Sequence, residues 1–274
     1  MEFLRVLLLG IVEGMTEFLP VSSTGHLILA HQWLRLEPES FQNAFDVIIQ
    51  LGAILSVVVL YWRRLFPFTK TTQEGRPKTA KDRRDTFRLW GKVIVGVIPA
   101  GVLGLLFDDL IDHYLFRPSV VATTLVLWGI VIILMESKKH RTRYQSVHDL
   151  PLGLCLAIGC CQCFAMIPGT SRSAATIIGA MLLGVGRVAA AEFSFYLAIP
   201  TMAGATLLKV VKNAHGFTSH EWLLILFGAV VSFIAAIVVI RTFMDYIKNH
   251  DFKVFGIYRI IVGILVFALL VLGH

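Results

Sequence analysis

The chain has 274 residues, of which 56 % are hydrophobic and only 16 % are charged, and its mean hydropathy is +0.75. A soluble domain carries roughly 25 % charged residues, so this composition favours an integral membrane protein over a soluble one. The net charge of +7 is concentrated in loops, and we expect no nucleic-acid partner.

In chain order, six apolar stretches have the length of membrane-spanning helices. A helix crosses the bilayer with about 20 apolar residues, and stretches of this kind recur from the first third of the chain onwards. The predicted spans are residues 41–62, 89–107, 118–136, 188–211, 221–242 and 254–272.

Basic residues indicate which loops face the cytoplasm. Residues 63–92 contain ten Lys or Arg against three acids, and residues 137–149 contain four more basic side chains. By the positive-inside rule both loops are cytoplasmic. The loop between the second and third spans fits the outer face, because it carries Asp108, Asp109 and Asp112.

Two further regions, residues 1–36 and 150–185, are each interrupted near the middle. The interruptions, at residues 20–26 and 168–173, are rich in Pro, Gly, Ser and Thr, and the apolar pieces after them are too short for a crossing. We therefore predict two re-entrant helix-turn-helix pairs, the first entering from outside and the second from inside. Non-helical backbone at this depth must be buried in protein or line a wet cavity.

Entry from opposite faces predicts an inverted-topology repeat, with repeat 1 at about residues 1–136 and repeat 2 at about 150–273. The predicted fold class is an all-α integral membrane domain of residues 1–274, with six transmembrane helices plus the two re-entrant pairs. In such folds the site lies where broken helices meet near the midplane. Aligning Pro20 with Pro168 pairs Ser22 with Thr170, Ser23 with Ser171 and Thr24 with Arg172, whereas matching Gly10 and Glu13 to Gly159 and Gln162 needs a shift of one residue.

Two carboxylates, Glu13 and Glu17, lie in the first apolar region. Their spacing of four residues puts both on one helix face. An ionised carboxylate in hydrocarbon needs a partner, a metal ion or water, and a pair of them suits Mg²⁺ or Ca²⁺. The alternative is that this helix lies at the membrane interface with both acids in water.

The two interruptions carry hydroxyl groups at helix starts. Helix capping would explain such residues taken alone. Two helix N-termini at mid-membrane, one of them with an arginine, are typical of an anion site, and the guanidinium fork suits a phosphate. The polar residues of the two turns are Ser22, Ser23, Thr24 and His26, and Thr170, Ser171, Arg172 and Ser173.

A phosphate beside two carboxylates requires a cation between them. We therefore predict that Glu13 and Glu17 bind a divalent metal ion, with Arg172 on the other side of the phosphate. Ser23 is the candidate nucleophile, activated by His26 or a carboxylate, while His26 could itself act as base, acid or phosphoryl acceptor. Attack by water bound to the metal is a further alternative.

Gln50 is a polar side chain in an otherwise apolar span, and it either lines the cavity or makes an interhelical hydrogen bond. With it, the predicted substrate-binding residues are Ser22, Thr24, Gln50, Thr170, Ser171 and Ser173. The predicted catalytic residues are Glu13, Glu17, Ser23, His26 and Arg172.

Residues 13–26 and 168–173 resemble the two signature motifs of the bacterial undecaprenyl-diphosphate phosphatase family, also called bacitracin-resistance proteins. The resemblance covers the whole chain in length and order. It implies hydrolysis of undecaprenyl diphosphate to the monophosphate and phosphate, which recycles the lipid carrier of peptidoglycan synthesis and is opposed by bacitracin. It also implies a homodimer in the bacterial inner membrane, embedded in lipid, that needs Mg²⁺ or Ca²⁺ and opens its site to the periplasm. For the residues, it supports roles for the acidic pair, Ser23, His26, and Ser171 to Ser173.

The sequence can also be compared with a second type of lipid phosphatase and with transporters. Phosphatases of the phosphatidic-acid type would need a histidine six residues after Arg172, where this chain has Ile178. A transporter or flippase of a lipid phosphate remains an alternative, because inverted repeats with broken helices are a transporter architecture.

Overall fold

The computed structural model describes residues 1–115, 117–138, 141–213 and 216–272, and over these ranges the chain forms helices and no β-strand. Short 3₁₀ segments occur at Val147–Asp149 and Cys163–Met166. The α-helices are α1 (Glu2–Thr16), α2 (Ser23–Ala30), α3 (Glu39–Leu60), α4 (Trp62–Leu65), α5 (Ala80–Leu115), α6 (Pro118–Glu136), α7 (Leu152–Gln162), α8 (Arg172–Leu182), α9 (Arg187–Asn213), α10 (Ser219–Asn249) and α11 (Lys253–Leu272).

Six helices, namely α3, α5, α6, α9, α10 and α11, are long and apolar enough to cross a membrane. They coincide with the six predicted spans, which are therefore confirmed. Their outward faces carry large exposed apolar side chains, such as Leu226, Val230 and Ile234 on α10, as expected of helices solvated by lipid. The chain is a multi-pass, all-α membrane protein.

Helix α5 is longer at both ends than the sequence predicted. It begins at Ala80 rather than at residue 89, because Thr79 and Asp82 exchange side-chain and backbone hydrogen bonds that satisfy the first amides of the helix. At its other end it continues to Leu115, so the predicted outer loop is shorter than expected. The side chains of Asp108, Asp109 and Asp112 lie outside the described residues, as does Lys139 of the second basic loop.

One face of the bundle gathers the ends that were predicted to be cytoplasmic. Arg64, just after α3, pairs with Glu192 near the start of α9 at 2.6 Å. Glu136 at the end of α6 accepts hydrogen bonds from Arg187 and from the backbone N–H of Phe252. These contacts bring the ends of α3 and α6 to the starts of α9 and α11.

The broken regions contain the short helices α2 and α8, of 8 and 11 residues. At 1.5 Å per residue they extend about 12 and 17 Å, well short of the about 30 Å hydrocarbon layer. The chain also returns towards its starting face, because Arg5 of α1 donates to the backbone carbonyl of Arg35 at 2.8 Å. Beyond α8, Val185 forms a bridge with Tyr144, which precedes α7.

Helices from the first half of the sequence pack against helices from the second half. Helix α1 packs on α10 and α7 packs on α5, while α3 packs on α9 and α6 on α11. Gly10 and Gly159 occupy corresponding places, because a Cβ on either would overlap backbone of the opposite half, at Gly228 and Gly96 respectively. In each half, the helix that precedes the break (α1 or α7) therefore packs on a long helix of the other half.

The matching register differs from the alignment on the two prolines. Ser22 and Ser171 are the N-caps of α2 and α8, and they share the same unusual backbone conformation. Pairing these serines also pairs Gly10 with Gly159 and Glu13 with Gln162, without the one-residue shift. The pairing of Ser22 with Thr170 was therefore wrong, because the turn before Ser171 is one residue longer.

Candidate active site

The acidic pair is buried inside the bundle rather than exposed at an interface. Glu13 in the last turn of α1 is 0 % exposed, and Glu17, at its C-terminal cap, is 7 % exposed. Their four-residue spacing places both on one side of the helix. The alternative in which both acids lie in water is therefore wrong.

Glu17 connects the two signature turns. Its Oε2 accepts a hydrogen bond from the Ser23 hydroxyl at 2.7 Å. Its Oε1 accepts a hydrogen bond from Arg172 Nη2 at 3.3 Å, and both side chains of this ion pair are nearly buried. One carboxylate thus joins the hydroxyl of the first motif to the guanidinium of the second, which are the residues that the sequence predicts to act on a phosphate.

Both turns end in a strained serine. Ser22 and Ser171 each have φ of 74°, a region that costs a residue with a Cβ roughly 1–2 kcal/mol. Each hydroxyl accepts a hydrogen bond from the backbone N–H three residues later, at 3.3 and 3.2 Å. The capping interpretation is therefore correct for these two hydroxyls, and backbone strain of this kind is found most often at functional sites.

The second turn is tied directly to the first. The Ser173 hydroxyl donates to the backbone carbonyl of Leu19 at 2.7 Å and lies 2.9 Å from the Ser171 hydroxyl. Arg172 Nη1 donates to the carbonyl of Ser194 on α9 at 2.9 Å, while Arg172 Nε has no partner among the described residues. The guanidinium is thus held from behind by α9, and its Nε remains available for an acceptor.

His26 has a partner at each ring nitrogen. Nδ1 lies 2.7 Å from the carbonyl of Ser22, and Nε2 lies 2.7 Å from the hydroxyl of Tyr258 on α11. Because a carbonyl can only accept, Nδ1 carries a proton, and in the neutral ring Nε2 accepts from Tyr258. The two rings also stack at 5.5 Å with an interplanar angle of 5°, so the geometry fixes the tautomer and the orientation of the imidazole.

The remaining predicted residues are less closely connected. Thr170 is fully buried, and its hydroxyl has no partner among the described residues. Thr24 is half-buried at the start of α2. Gln50 is half-buried in α3, and its side chain makes no hydrogen bond to another described residue. The structure therefore brings Glu17, Ser23 and Arg172 together and leaves Gln50 outside that contact network.

Some polar residues near the turns were missed in the sequence. Tyr258 and Arg259 lie side by side in the apolar helix α11, and Arg259 is completely buried. A charged residue inside a predicted span was the signal that could have found them. Ser194 could not have been found in this way, because a lone serine in an apolar helix is common and uninformative.

The acidic pair could hold a cation. Neither oxygen of Glu13 has a hydrogen-bond partner among the described residues, and a buried carboxylate without a partner is costly unless a cation or a proton accompanies it. Within the described part of the chain no three His, Cys, Asp or Glu side chains are grouped to hold a metal ion. The protein would therefore supply two carboxylates, and a bound metal ion would take its other ligands from water or substrate.

A cavity of about 440 Å³ lies elsewhere, where the end of α6 meets the start of α9. Its lining includes Glu136, Arg187 and Lys248 but none of the predicted site residues. The residues of the two motifs are instead in contact with one another. The candidate chemistry is therefore assembled by hydrogen bonds between the turns.

Comparison with known proteins identifies the family of the chain. Residues 6–265 match the family described as bacitracin resistance protein BacA. Undecaprenyl-diphosphatase 1 of Clostridioides difficile (strain 630) is 51 % identical over 269 residues, covering 98 % of this chain and 96 % of the relative. Undecaprenyl-diphosphatase of Enterococcus faecalis is 49 % identical, covering 97 % and 96 %, and that of Fusobacterium nucleatum subsp. nucleatum is 51 % identical, covering 97 % and 99 %. The chain belongs to the bacitracin resistance protein BacA family.

Proposed function

We propose that this chain is an undecaprenyl-diphosphate phosphatase, which hydrolyses undecaprenyl diphosphate to undecaprenyl phosphate and inorganic phosphate. The observation that carries the proposal is the contact of Glu17 with both Ser23 and Arg172, because a hydroxyl with a proton acceptor beside a guanidinium is what phosphoryl transfer needs. The similarity to enzymes named undecaprenyl-diphosphatase supports the substrate.

In the first step, Ser23 is the nucleophile. Its hydroxyl proton passes to Glu17, and its oxygen forms a bond to the terminal phosphorus while the bond from that phosphorus to the bridging oxygen breaks. Undecaprenyl phosphate leaves with the electron pair of the broken bond. Arg172 Nε, which has no partner among the described residues, would donate to the phosphoryl oxygens as charge develops on them.

In the second step, water attacks the phosphorus and releases inorganic phosphate, and the Ser23 oxygen recovers a proton. His26 is the group that would accept the proton of the attacking water, through Nε2. Tyr258 holds this nitrogen by a 2.7 Å hydrogen bond, which orients the ring and would be exchanged for the water during the reaction. The contact of Ser23 with Glu17 supports the carboxylate, rather than His26, as the base of the first step.

A divalent cation, Mg²⁺ or Ca²⁺, fits the acidic pair. Glu13 and Glu17 would hold it, because Glu13 has two buried oxygens without partners in the described chain and hard cations prefer oxygen ligands. When bound, the cation would offset the negative charge of the diphosphate. Without it, two carboxylates would repel the substrate that the rest of the site attracts.

The other hydroxyls would bind the phosphates. Thr170 has a buried hydroxyl without a partner among the described residues, and the Ser22 hydroxyl can donate its proton in addition to the bond that it accepts. The single proton of Ser173 goes to Leu19, so Ser171 donates to Ser173. Ser171 and Ser173 would therefore bind a phosphate by exchanging these contacts for it. The first amides of α2 and α8 add positive helix ends to the same region. We retain Thr24 and Gln50 as predicted substrate contacts.

The protein would act in the bacterial inner membrane as a homodimer surrounded by lipid, with its site open to the periplasm. The same-face ends of α1 and α2, and of α7 and α8, support two re-entrant pairs. The packing of α1 on α10 and of α7 on α5 joins each half to the other in the same way, which supports an inverted repeat of about residues 1–136 and 150–273. Light scattering of the purified protein, corrected for detergent, tests the dimer, because a monomer mass would exclude it.

The experiment that tests the function is phosphate release from undecaprenyl or farnesyl diphosphate by purified protein in detergent with Mg²⁺. We expect release by the wild type and at least about a hundredfold less by Arg172→Ala and Glu17→Ala. No release by the wild type, or release by both variants at the wild-type rate, would exclude the enzyme and favour the transporter alternative.

A further inference from the structure

Arg259 of α11 is a buried charge that the proposed mechanism does not use. Arg259 is 0 % exposed, and no carboxylate of the described chain lies within ion-pair distance of its guanidinium group. A charge without a counter-ion in the interior of a membrane protein is expensive. Its position therefore calls for an interaction that a smaller or neutral side chain could not make.

The hydrogen bonds of Arg259 go to backbone carbonyls of both signature turns. Nη1 donates to Pro20 at 3.1 Å, in the first turn. Nη2 donates to Gly169 at 2.7 Å and to Thr170 at 3.0 Å, in the second turn. Nε lies 3.5 Å from the carbonyl of Leu125 on α6. These turn carbonyls lie one or two residues before the strained serines that cap α2 and α8.

The contacts explain the need for arginine. Carbonyls in a helix break have lost their helical donors, and in an apolar interior they must be satisfied by protein. The planar guanidinium offers five N–H groups in a rigid fork, so one side chain can reach two separate segments and fix their distance. A lysine ammonium is a single point that cannot span both turns. Four N–H contacts to carbonyls also leave little capacity for a phosphate.

Neighbouring glycines make room for this side chain. Gly129 of α6 and Gly256 of α11 face each other, and a Cβ on either would lie within 2.8 Å of the carbonyl of the other. The two backbones therefore approach closely, and the Cβ of Arg259 packs against Gly129. From this contact the side chain extends between the two turns.

We propose that Arg259 is a positioning residue that clamps the two turns together, so that Arg172 of the second turn meets Glu17 and Ser23 of the first. The role rests on the proposed function for its kinetic consequence, although the clamp itself is a structural property. Arg259 does not touch the substrate. It acts through the relative placement of the groups that do.

The kinetic test uses Arg259→Lys, with Arg241→Lys as the control because Arg241 is exposed on α10. We expect Arg259→Lys to lower kcat by about 30-fold or more with KM changed less than about threefold, since small misplacements cost about 100-fold. In an Arg172→Lys background the further loss should be less than about threefold. Wild-type kcat in Arg259→Lys, or losses that multiply in the double variant, would overturn the clamp.

The stability of the two turns can also be measured directly, without any enzymatic activity. Hydrogen–deuterium exchange of the detergent-solubilised protein reports the amides of residues 21–26 and 169–174. Arg259→Lys should accelerate exchange in both segments, by about tenfold for each 1.4 kcal/mol of lost local stability, and Arg241→Lys in neither. Acceleration in one segment alone, or in neither, overturns the clamp. A wild type that releases no phosphate refutes the proposed function, while the exchange result still decides on the clamp.

Discussion

Glu17→Gln tests the contact at the centre of the site with little change of shape. In the wild type, one carboxylate oxygen accepts from Ser23 and the other from Arg172. A glutamine can keep its oxygen towards Arg172 and direct its amide group to Ser23. The serine hydroxyl must then accept instead of donate, so it loses the group that takes its proton while the surrounding contacts persist.

The expected loss follows from this geometry. Removing a positioned general base costs about 10²–10⁴ in rate, which is about 3–5 kcal/mol of activation free energy. The free energy of unfolding should fall by less, about 1–3 kcal/mol, because Arg172 keeps Ser194 as a partner. Phosphate release at saturating farnesyl diphosphate gives kcat, and a thermal melt of the same sample gives Tm.

Glu192→Gln is the matched control, since Glu192 also pairs with a partly buried arginine, Arg64 at 2.6 Å, but away from the turns. It should lower Tm and change kcat by less than about threefold. If Glu17→Gln retained more than half of the wild-type kcat, or if both variants lost activity equally, Glu17 would not be the base and the mechanism would be refuted.

Further substitutions test the other parts of the site. Glu13→Gln should raise the Mg²⁺ concentration for half-maximal activity by about tenfold or more, measured by metal titration after chelation, and an unchanged titration would exclude Glu13 as a ligand. Tyr258→Phe removes one hydrogen bond of about 0.5–1.5 kcal/mol and should lower kcat by about 2–12-fold, whereas an unaltered kcat would show that the imidazole needs no such support. Gly169→Ala introduces a Cβ that overlaps Thr124 at φ of 86° and should abolish activity with a large drop in Tm. Gly75→Ala at φ of 85° meets no atom within 4 Å and should cost only about 1–2 kcal/mol; equal melts of these two variants would contradict the packing argument.

The sequence predicts the spans and the two turns because their signals are local. Apolar runs of about 20 residues define crossings by length alone, and Pro, Gly and hydroxyl residues end helices through their own backbone chemistry. The two carboxylates could be assigned to one face from their spacing, without any knowledge of the fold. The contact between Ser23 and Glu17 follows almost as directly, because only six residues separate them.

Features that depend on contacts between distant segments could not be read in this way. Aligning the prolines gave the wrong register, because the equivalent residues are the serines at the N-caps, and their conformation appears only in the folded backbone. The early start of α5 was obscured by charged residues, which indicate the end of a membrane span but do not end a helix. Tyr258, the partner of His26 Nε2, lies 232 residues further along the chain, and no spacing rule connects the two residues.

The helix that closes the site is the last described one in the order of synthesis. Both signature turns are complete once α8 has been made, yet Tyr258 and Arg259 arrive only with α11. During translation and membrane insertion, the carbonyls of Pro20 and Gly169 therefore lack this donor until α11 has been made. A chain cut at residue 250 retains α1 to α10 and should insert into the membrane but release no phosphate, and activity in such a fragment would contradict this order of assembly. The two turns thus receive their shared donor only after the helices from α1 to α10 have been made.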